Sequence, residues 1–143
     1  MKGHVHTDSL MKAVVDRKAG LRTGRRLSHI FHMTVPESER VLMITDGAVN
    51  VAPDTATKVD IINNAAQLSH ALGNTMPHVA VLSGTESVIN SMPSSVDAAE
   101  VVKRANNGEV TGAVVDGPFA FDNAVSPEAA DMKEIESPVA GNA

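Results

Sequence analysis

Apolar residues at Val59, Ile62, Ala66 and Leu68 recur at helical spacing between Pro53-Asp54 and Gly73. A proline and an acid at the start and a glycine past the end predict a helix over 54–72. A shorter stripe of Leu10, Met11, Val14 and Val15 predicts a helix over 7–18, capped by Thr7 or Asp8 and closed by Gly20. Two apolar runs, 27–35 and 41–45, flank the polar turn 36–40 and predict a hairpin of two strands. Residues 78–82 predict a short buried strand ending at Ser83-Gly84. Next, Ser94 or Ser95 caps a helix running to about Asn107, with Gly108 beyond it. Ser94 and Asp97 have capping-box spacing, with Asp in place of Glu. A further apolar strand, 111–115, ends at Asp116-Gly117-Pro118, and Ser126-Pro127-Glu128 opens a last helix.

From residue 54 the order is helix, strand, helix, strand, helix, so the two strands pair in parallel across a crossover helix. Residues 78–117 form that β-α-β unit. Ligands of open parallel sheets bind beyond the carboxyl ends of strands. Ser83-Gly84-Thr85 and Asp116-Gly117-Pro118 both lie there. Two parallel strands and a hairpin make a thin sheet for three helices, and the chain stops in the loop-like stretch 137–143 where another strand is expected. The pattern is that of a chain cut at one or both ends, with open sheet edges and marginal stability or self-association.

Composition sharpens the fold class to α/β. With no Trp, no Tyr and three Phe among 143 residues, aliphatic side chains must fill the core. The lack of Cys excludes disulfides, thiolate metal sites and cysteine nucleophiles, and fits a reducing compartment. No apolar run is long enough to span a bilayer and no signal-peptide core opens the chain, so a cytoplasmic protein without a membrane partner is expected. Net charge is −5, yet residues 1–40 carry eight of the twelve Lys and Arg and four of the seventeen acids. A local anion site suits that asymmetry better than a nucleic-acid surface, and the scarcity of aromatics removes base stacking.

Candidate chemistry is sparse. His4, His6 and Asp8 alternate and would share one face of a strand, as metal ligands could, but a helix start explains Thr7-Asp8 better. His29 and His32 fall on opposite faces of the predicted strand and form no common site. His70 sits late in a helix and His78 opens a strand; neither takes a role. Arg17, Lys18, Arg22, Arg25 and Arg26 place five cations within ten residues, close to a helix start whose amides favour an anion. Asp116, Asp122 and Asn123 flank Gly117-Pro118 and could orient a substrate or move a proton; a turn closed by their side chains is the plainer explanation. Nucleotide-binding glycine motifs and a serine elbow are absent.

The run from Asp116 to Ala130, DGPFAFDNAVSPEAA, followed by Ser137-Pro-Val-Ala-Gly141, resembles the phosphate acetyl/butyryl transferase family. The likeness is greatest to the butyryl type and to the related domain fused to enoyl-CoA hydratases. Lys2–Asp8, Gly20–Arg26, Ile44–Pro53 and Met92–Ala99 match further family segments in family order. The resemblance implies an isocitrate/isopropylmalate dehydrogenase-like fold, a parallel-sheet three-layer α/β architecture, present only as a central fragment. Residues 1–52 would be the end of a first α/β domain plus the connecting hairpin, and 53–143 the start of a truncated second domain. It implies transfer of an acetyl or butyryl group between coenzyme A and phosphate, with coenzyme A as substrate, no bound cofactor or metal, and a homodimeric full-length enzyme. The family's Ser-Arg motif and accompanying Asp have no counterpart here, so no catalytic residue is assigned and this chain alone is expected to be inactive. His6, Thr7, Asp8, Arg22, Thr23, Gly24, Ser83, Asp116, Asp122 and Asn123 match cleft-lining positions and are carried over as binders of acyl phosphate or acyl-CoA. The alternative is a non-catalytic remnant that binds phosphate, coenzyme A or a partner chain. His29, His32 and Gly84-Thr85-Glu86 depart from the family pattern and leave the preferred acyl chain open, as they do the direction of reaction.

Overall fold

The computed structural model describes residues 3–36 and 40–143; the predicted turn over 36–40 falls largely outside them. The elements run α1 (Thr7–Val14), β1 (Ile30–Thr34), β2 (Val41–Thr45), α2 (Thr55–Ala71), β3 (His78–Leu82), α3 (Pro93–Arg104), β4 (Val114–Phe119), α4 (Phe121–Val125) and α5 (Pro127–Met132). Strands β1 and β2 pair antiparallel from Ile30 opposite Thr45 to Thr34 opposite Val41. Strands β3 and β4 pair in parallel. The hairpin and the parallel pair are separate two-stranded sheets rather than one thin sheet.

Helix α2 begins where the sequence places it. The Asp54 carboxylate accepts the Thr57 N–H at 2.7 Å, satisfying one of the amides a helix start leaves open. Its buried face is Val59, Ile62, Ala65, Ala66 and Ser69, with Ile61 beside it, while Leu68 is 36% exposed and belongs to the outer side. Helix α1 is shorter than expected and its N-cap is His6, not Thr7 or Asp8. The Asp16 carboxylate accepts the Lys18 and Ala19 N–H groups, each at 2.8 Å, so a side-chain turn outcompetes another helical turn. No residue of α1 is buried.

Three boundaries moved because side chains or glycines redirected the backbone. Strand β1 starts at Ile30 rather than 27, since Asn50 Nδ2 holds the Leu27 carbonyl and Asn64 Nδ2 holds those of Arg26 and the Ser28 hydroxyl. Helix α3 has Met92 as N-cap and Pro93 at its first turn. Ser95 is instead fully buried, accepting the Ile89 N–H at 2.9 Å and donating to the Met92 carbonyl at 2.8 Å. Asp97 pairs with Lys58 at 2.7 Å and does not cap. Beyond Arg104 a π turn over Ala105–Glu109 closes at Gly108, φ 93°.

Strand β4 spans Val114–Phe119, so Asp116-Gly117-Pro118 lies inside it and not in a turn at its end. A bulge makes this possible: Ala80 pairs with Asp116 and Leu82 with Phe119, so Gly117 and the cis-bonded Pro118 together oppose Val81 alone. Helix α4, too short to leave a period in the sequence, follows at once, and Ser126 caps α5 by accepting the Ala129 N–H.

Helices α2 and α3 cover one face of the parallel pair, where Val59, Ile62, Val101, Val110 and Val115 form a core. On the other face Phe119, Ala124 and Val139 form a second core, with Ala80, Val125 and Ile135 against it. This is a three-layer α/β arrangement around two parallel strands. Arg40 ties the hairpin to it, donating to the Val125 carbonyl at 2.6 Å and the Ala143 carbonyl at 2.5 Å.

The loop after β2 is built on Asp46, whose Oδ1 accepts the Ala48 and Val49 N–H groups at 2.9 and 3.0 Å. Burial raises the pKa of Asp46, but these amides together with the Asn50 side chain and amide outweigh it and lower the pKa. A lowered folded pKa stabilises above the ordinary carboxylate value of about 3.9, and the gain vanishes as pH falls through the folded value. Urea titrations should show wild type more stable than Asp46→Asn at pH 7, by less than about 1 kcal/mol after solvent screening. The gap should close as pH falls through the lowered Asp46 value. A gap independent of pH would contradict this.

Candidate functional site

Three of the sequence-predicted binders converge on the parallel pair. Ser83 follows β3: its N–H donates to the Phe119 carbonyl at 2.8 Å, and its hydroxyl lies 2.9 Å from that of Ser94. Asp116 sits within β4, where its Oδ1 accepts the Gly117 N–H at 2.8 Å and its Oδ2 accepts the Ser137 hydroxyl at 2.5 Å. Asn123, on α4, is 1% exposed; its amide nitrogen donates to Glu86, and its Oδ1 has no partner. Glu86 also faces Lys133 Nζ at 3.8 Å. Separate side-chain contacts thereby tie the loop after β3 to α4 and strand β4 to Ser137.

The sequence pattern alone did not single out Glu86 and Ser137 as the partners of Asn123 and Asp116. Both had a signal, since Glu86 lies in the loop after a buried strand and Ser137 opens a matched family segment. Asp122 is adjacent in sequence but exposed, on the first turn of α4.

The remaining predicted binders stay apart. His6, Thr7 and Asp8 are exposed at the start of α1, and Arg22, Thr23 and Gly24 lie in an exposed loop where the Thr23 hydroxyl accepts the Arg25 N–H at 3.3 Å. Two of the five clustered cations are engaged at the surface of α2: Arg25 donates to Gln67 through its side chain, and Arg26 donates to Asp60 at 2.9 Å through its backbone. Among the described residues no group of three or more His, Asp or Glu side chains could hold a metal ion, and His4, His6 and Asp8 form none. His29 lies before β1, its ring against Phe31 with centroids 4.4 Å apart. No helix among the described residues is long and apolar enough to cross a membrane.

A cavity of about 600 Å³ lies between β2, α2, β3 and α4 and is walled mainly by aliphatic side chains. None of the predicted binders lines it. The chemistry and the cavity are thus separate features.

The family described as "Phosphate acetyl/butaryl transferase" matches residues 1–143, the whole chain. The chain belongs to the phosphate acetyl/butyryl transferase family. The phosphate acetyltransferase of Rhizobium meliloti is 50% identical over all 143 residues, and the phosphate butyryltransferase of Clostridium beijerinckii is 44% identical over the same length. In structure, a branched-chain phosphotransacylase from Enterococcus faecalis V583 superposes with a TM-score of 0.90 at 35% identity over 99% of the chain. The chain spans about half the length of the relatives it matches: 45% of the Rhizobium protein, 47% of the Clostridium protein and 50% of the Enterococcus chain. In this phosphate acetyl/butyryl transferase chain, Asp116 is held by Ser137 and the Gly117 amide, and Asn123 by Glu86.

Proposed function

We propose that this chain is the part of a phosphate acyltransferase that binds substrate, in an enzyme catalysing acyl-CoA + phosphate = acyl phosphate + CoA. The observation that carries this reading is the family match over every residue, with acetyl- and butyryltransferases among the relatives. In the reverse direction the coenzyme A sulfur bonds to the acyl carbonyl carbon, the bond from that carbon to phosphate oxygen breaks, and the thiol proton passes to a base. Charge gathers on the carbonyl oxygen and the departing phosphate, and fixed cations and N–H groups stabilise it. Arg22, exposed and planar, suits bidentate contact with phosphate oxygens. His6, Thr7, Asp8, Thr23 and Gly24 accompany it, and Ser83, Asp116, Asp122 and Asn123 form the opposite, acyl or coenzyme A side. Residues 1–52 belong to a first domain and its hairpin and 53–143 to a second, in an isocitrate/isopropylmalate dehydrogenase-like enzyme. It works as a cytoplasmic homodimer without metal or bound cofactor.

A second reading has its own support. The chain contains no Ser-Arg pair, the motif the family resemblance assigns to catalysis, and spans about half of its relatives. By itself it would then bind phosphate, coenzyme A or a partner chain without turnover.

Grafting these 143 residues in place of the matched segment of the Rhizobium meliloti acetyltransferase separates the two. The graft should release phosphate from acetyl phosphate in the presence of coenzyme A. Arg22→Ala should lower kcat/KM by about 10²-fold, a loss typical of removing one charge-stabilising group. Asp116→Ala is less clean, because it also frees Ser137 and the Gly117 amide. A folded graft without turnover favours the remnant, and an unaffected Arg22→Ala graft removes Arg22 from the site.

A further inference from the structure

Helix α3 runs into an unusual connector. After Arg104 the backbone stays helical through Asn107, turns left-handed at Gly108 with φ 93° and ψ 9°, and extends at Val110. Residues 106–109 are exposed, and nothing lies within 4 Å of the place a Gly108 Cβ would take. Asn107 is the one asparagine in the sequence that precedes a glycine. Its side chain is exposed and hydrogen-bonds to none of the described residues. Other asparagines are engaged: Asn50 with the Leu27 carbonyl, Asn64 with the Arg26 carbonyl, Asn142 with His78, and the buried Asn123 with Glu86.

A free amide beside an unhindered glycine can react with its own backbone. The Gly108 nitrogen, on losing its proton, bonds to the Asn107 side-chain carbonyl carbon. The bond from that carbon to the side-chain nitrogen breaks, and ammonia leaves with the proton. Water then opens the cyclic imide on either side, giving aspartate or its β-linked isomer with no change of oxidation state. Glycine favours closure, because no Cβ crowds its nitrogen and its backbone turns freely. Helical backbone at Asn107 opposes it, since the turn must open to bring nitrogen and carbonyl carbon together. Two sets of contacts hold the turn shut. Arg104 donates to the Glu109 carboxylate at 2.6 Å through Nη2 and 2.9 Å through Nε, and Asn63 Nδ2 donates to the Glu109 carbonyl at 2.8 Å.

We propose that Asn107 is a site of spontaneous deamidation, paced by opening of the turn that Arg104, Glu109 and Asn63 clamp. The aspartate product adds a negative charge to a chain already at −5. The β-linked product adds a methylene to the main chain just before Val110, which is 7% exposed in the core with Val59, Ile62, Val101 and Val115. The isomerised chain therefore holds that core less firmly. The inference rests on the connector between α3 and β4, not on acyl transfer, and its readout needs no activity.

Peptide mapping by mass spectrometry, with isoaspartate-specific methyl labelling, tests this on the 143-residue chain kept folded in mildly alkaline buffer. Asn107 should convert before every other asparagine, and more slowly than in the urea-unfolded chain. Asn107→Gln should abolish the label. Glu109→Gln should speed conversion in the folded chain about two- to fivefold, the factor an exposed ion pair contributes to holding a turn. Asn63→Ala, which alters no charge, should speed it as well, and so separates turn opening from an electrostatic effect on the Gly108 amide. The purified isoaspartyl chain should melt below the aspartyl chain. Earlier conversion at another asparagine would overturn the inference, as would equal rates in folded and unfolded chains. So would an Asn63→Ala rate equal to wild type, or isoaspartyl and aspartyl chains that melt together.

Discussion

Replacing Phe119 by Ala should destabilise the chain by about 3–5 kcal/mol, the usual cost of truncating a buried aromatic. Phe119 is 4% exposed and is the largest side chain in the core formed with Ala124 and Val139. That core has few substitutes, because the sequence holds three Phe and no Trp or Tyr, and its neighbours are mostly Ala and Val. The cavity cannot be refilled by small side chains already in contact, so most of the loss persists. In thermal melts the midpoint should fall by about 10 °C or more. Phe31→Ala is the control: Phe31 is 47% exposed on the hairpin, and its loss should cost under about 1 kcal/mol. Equal effects at the two sites would mean that the face covered by α4 and the stretch 137–143 is not a true core.

Gly117→Ala should cost about 2–5 kcal/mol, combining backbone strain with overpacking. Gly117 has φ 150°, and a Cβ there would meet the Val81 carbonyl oxygen at 2.6 Å. The obstacle is backbone of the neighbouring strand, so no rotamer change relieves it. Strand β3 would have to move away at the bulge, and the Ser83 N–H bond to Phe119 would lengthen first. Exchange at the Ser83 amide should therefore accelerate more than at Val79. Loss confined to α5, with the Ser83 amide unchanged, would contradict the strand-crowding account. Because Asp116 precedes Gly117, the same substitution should also disturb the Asp116 contact with Ser137.

Much of the local structure was legible without coordinates. The α2 start follows from Asp54, the α5 start from Ser126-Pro127, and strands β2 and β3 from compact aliphatic runs, because each signal is local and needs no distant partner. Where the expectation failed, a contact distant in sequence had intervened. Ser95 reads as a cap but is buried against the Ile89 and Met92 backbone. Leu68 fits a helical stripe, yet the packed side of α2 is set by which residues meet α3 and β4. Asp116-Gly117-Pro118 reads as a turn, since glycine and proline usually end strands. A register shift against Ala80 and Leu82 keeps it in the sheet.

The candidate site divides in the same way. Family membership was readable from ordered short segments, because residue order survives in a sequence whatever the fold does. Pairing Asp116 with Ser137 and Asn123 with Glu86 needed the fold, since the partners lie 21 and 37 positions apart along the chain. By itself the sequence determined the α/β elements, the parallel crossover and the family, all of which depend on local chemistry and residue order. Only the tertiary structure decided that hairpin and parallel pair are separate sheets and that β4 runs through Gly117-Pro118. Each of those depends on which backbone groups find partners in space, and spacing along a single chain does not encode that.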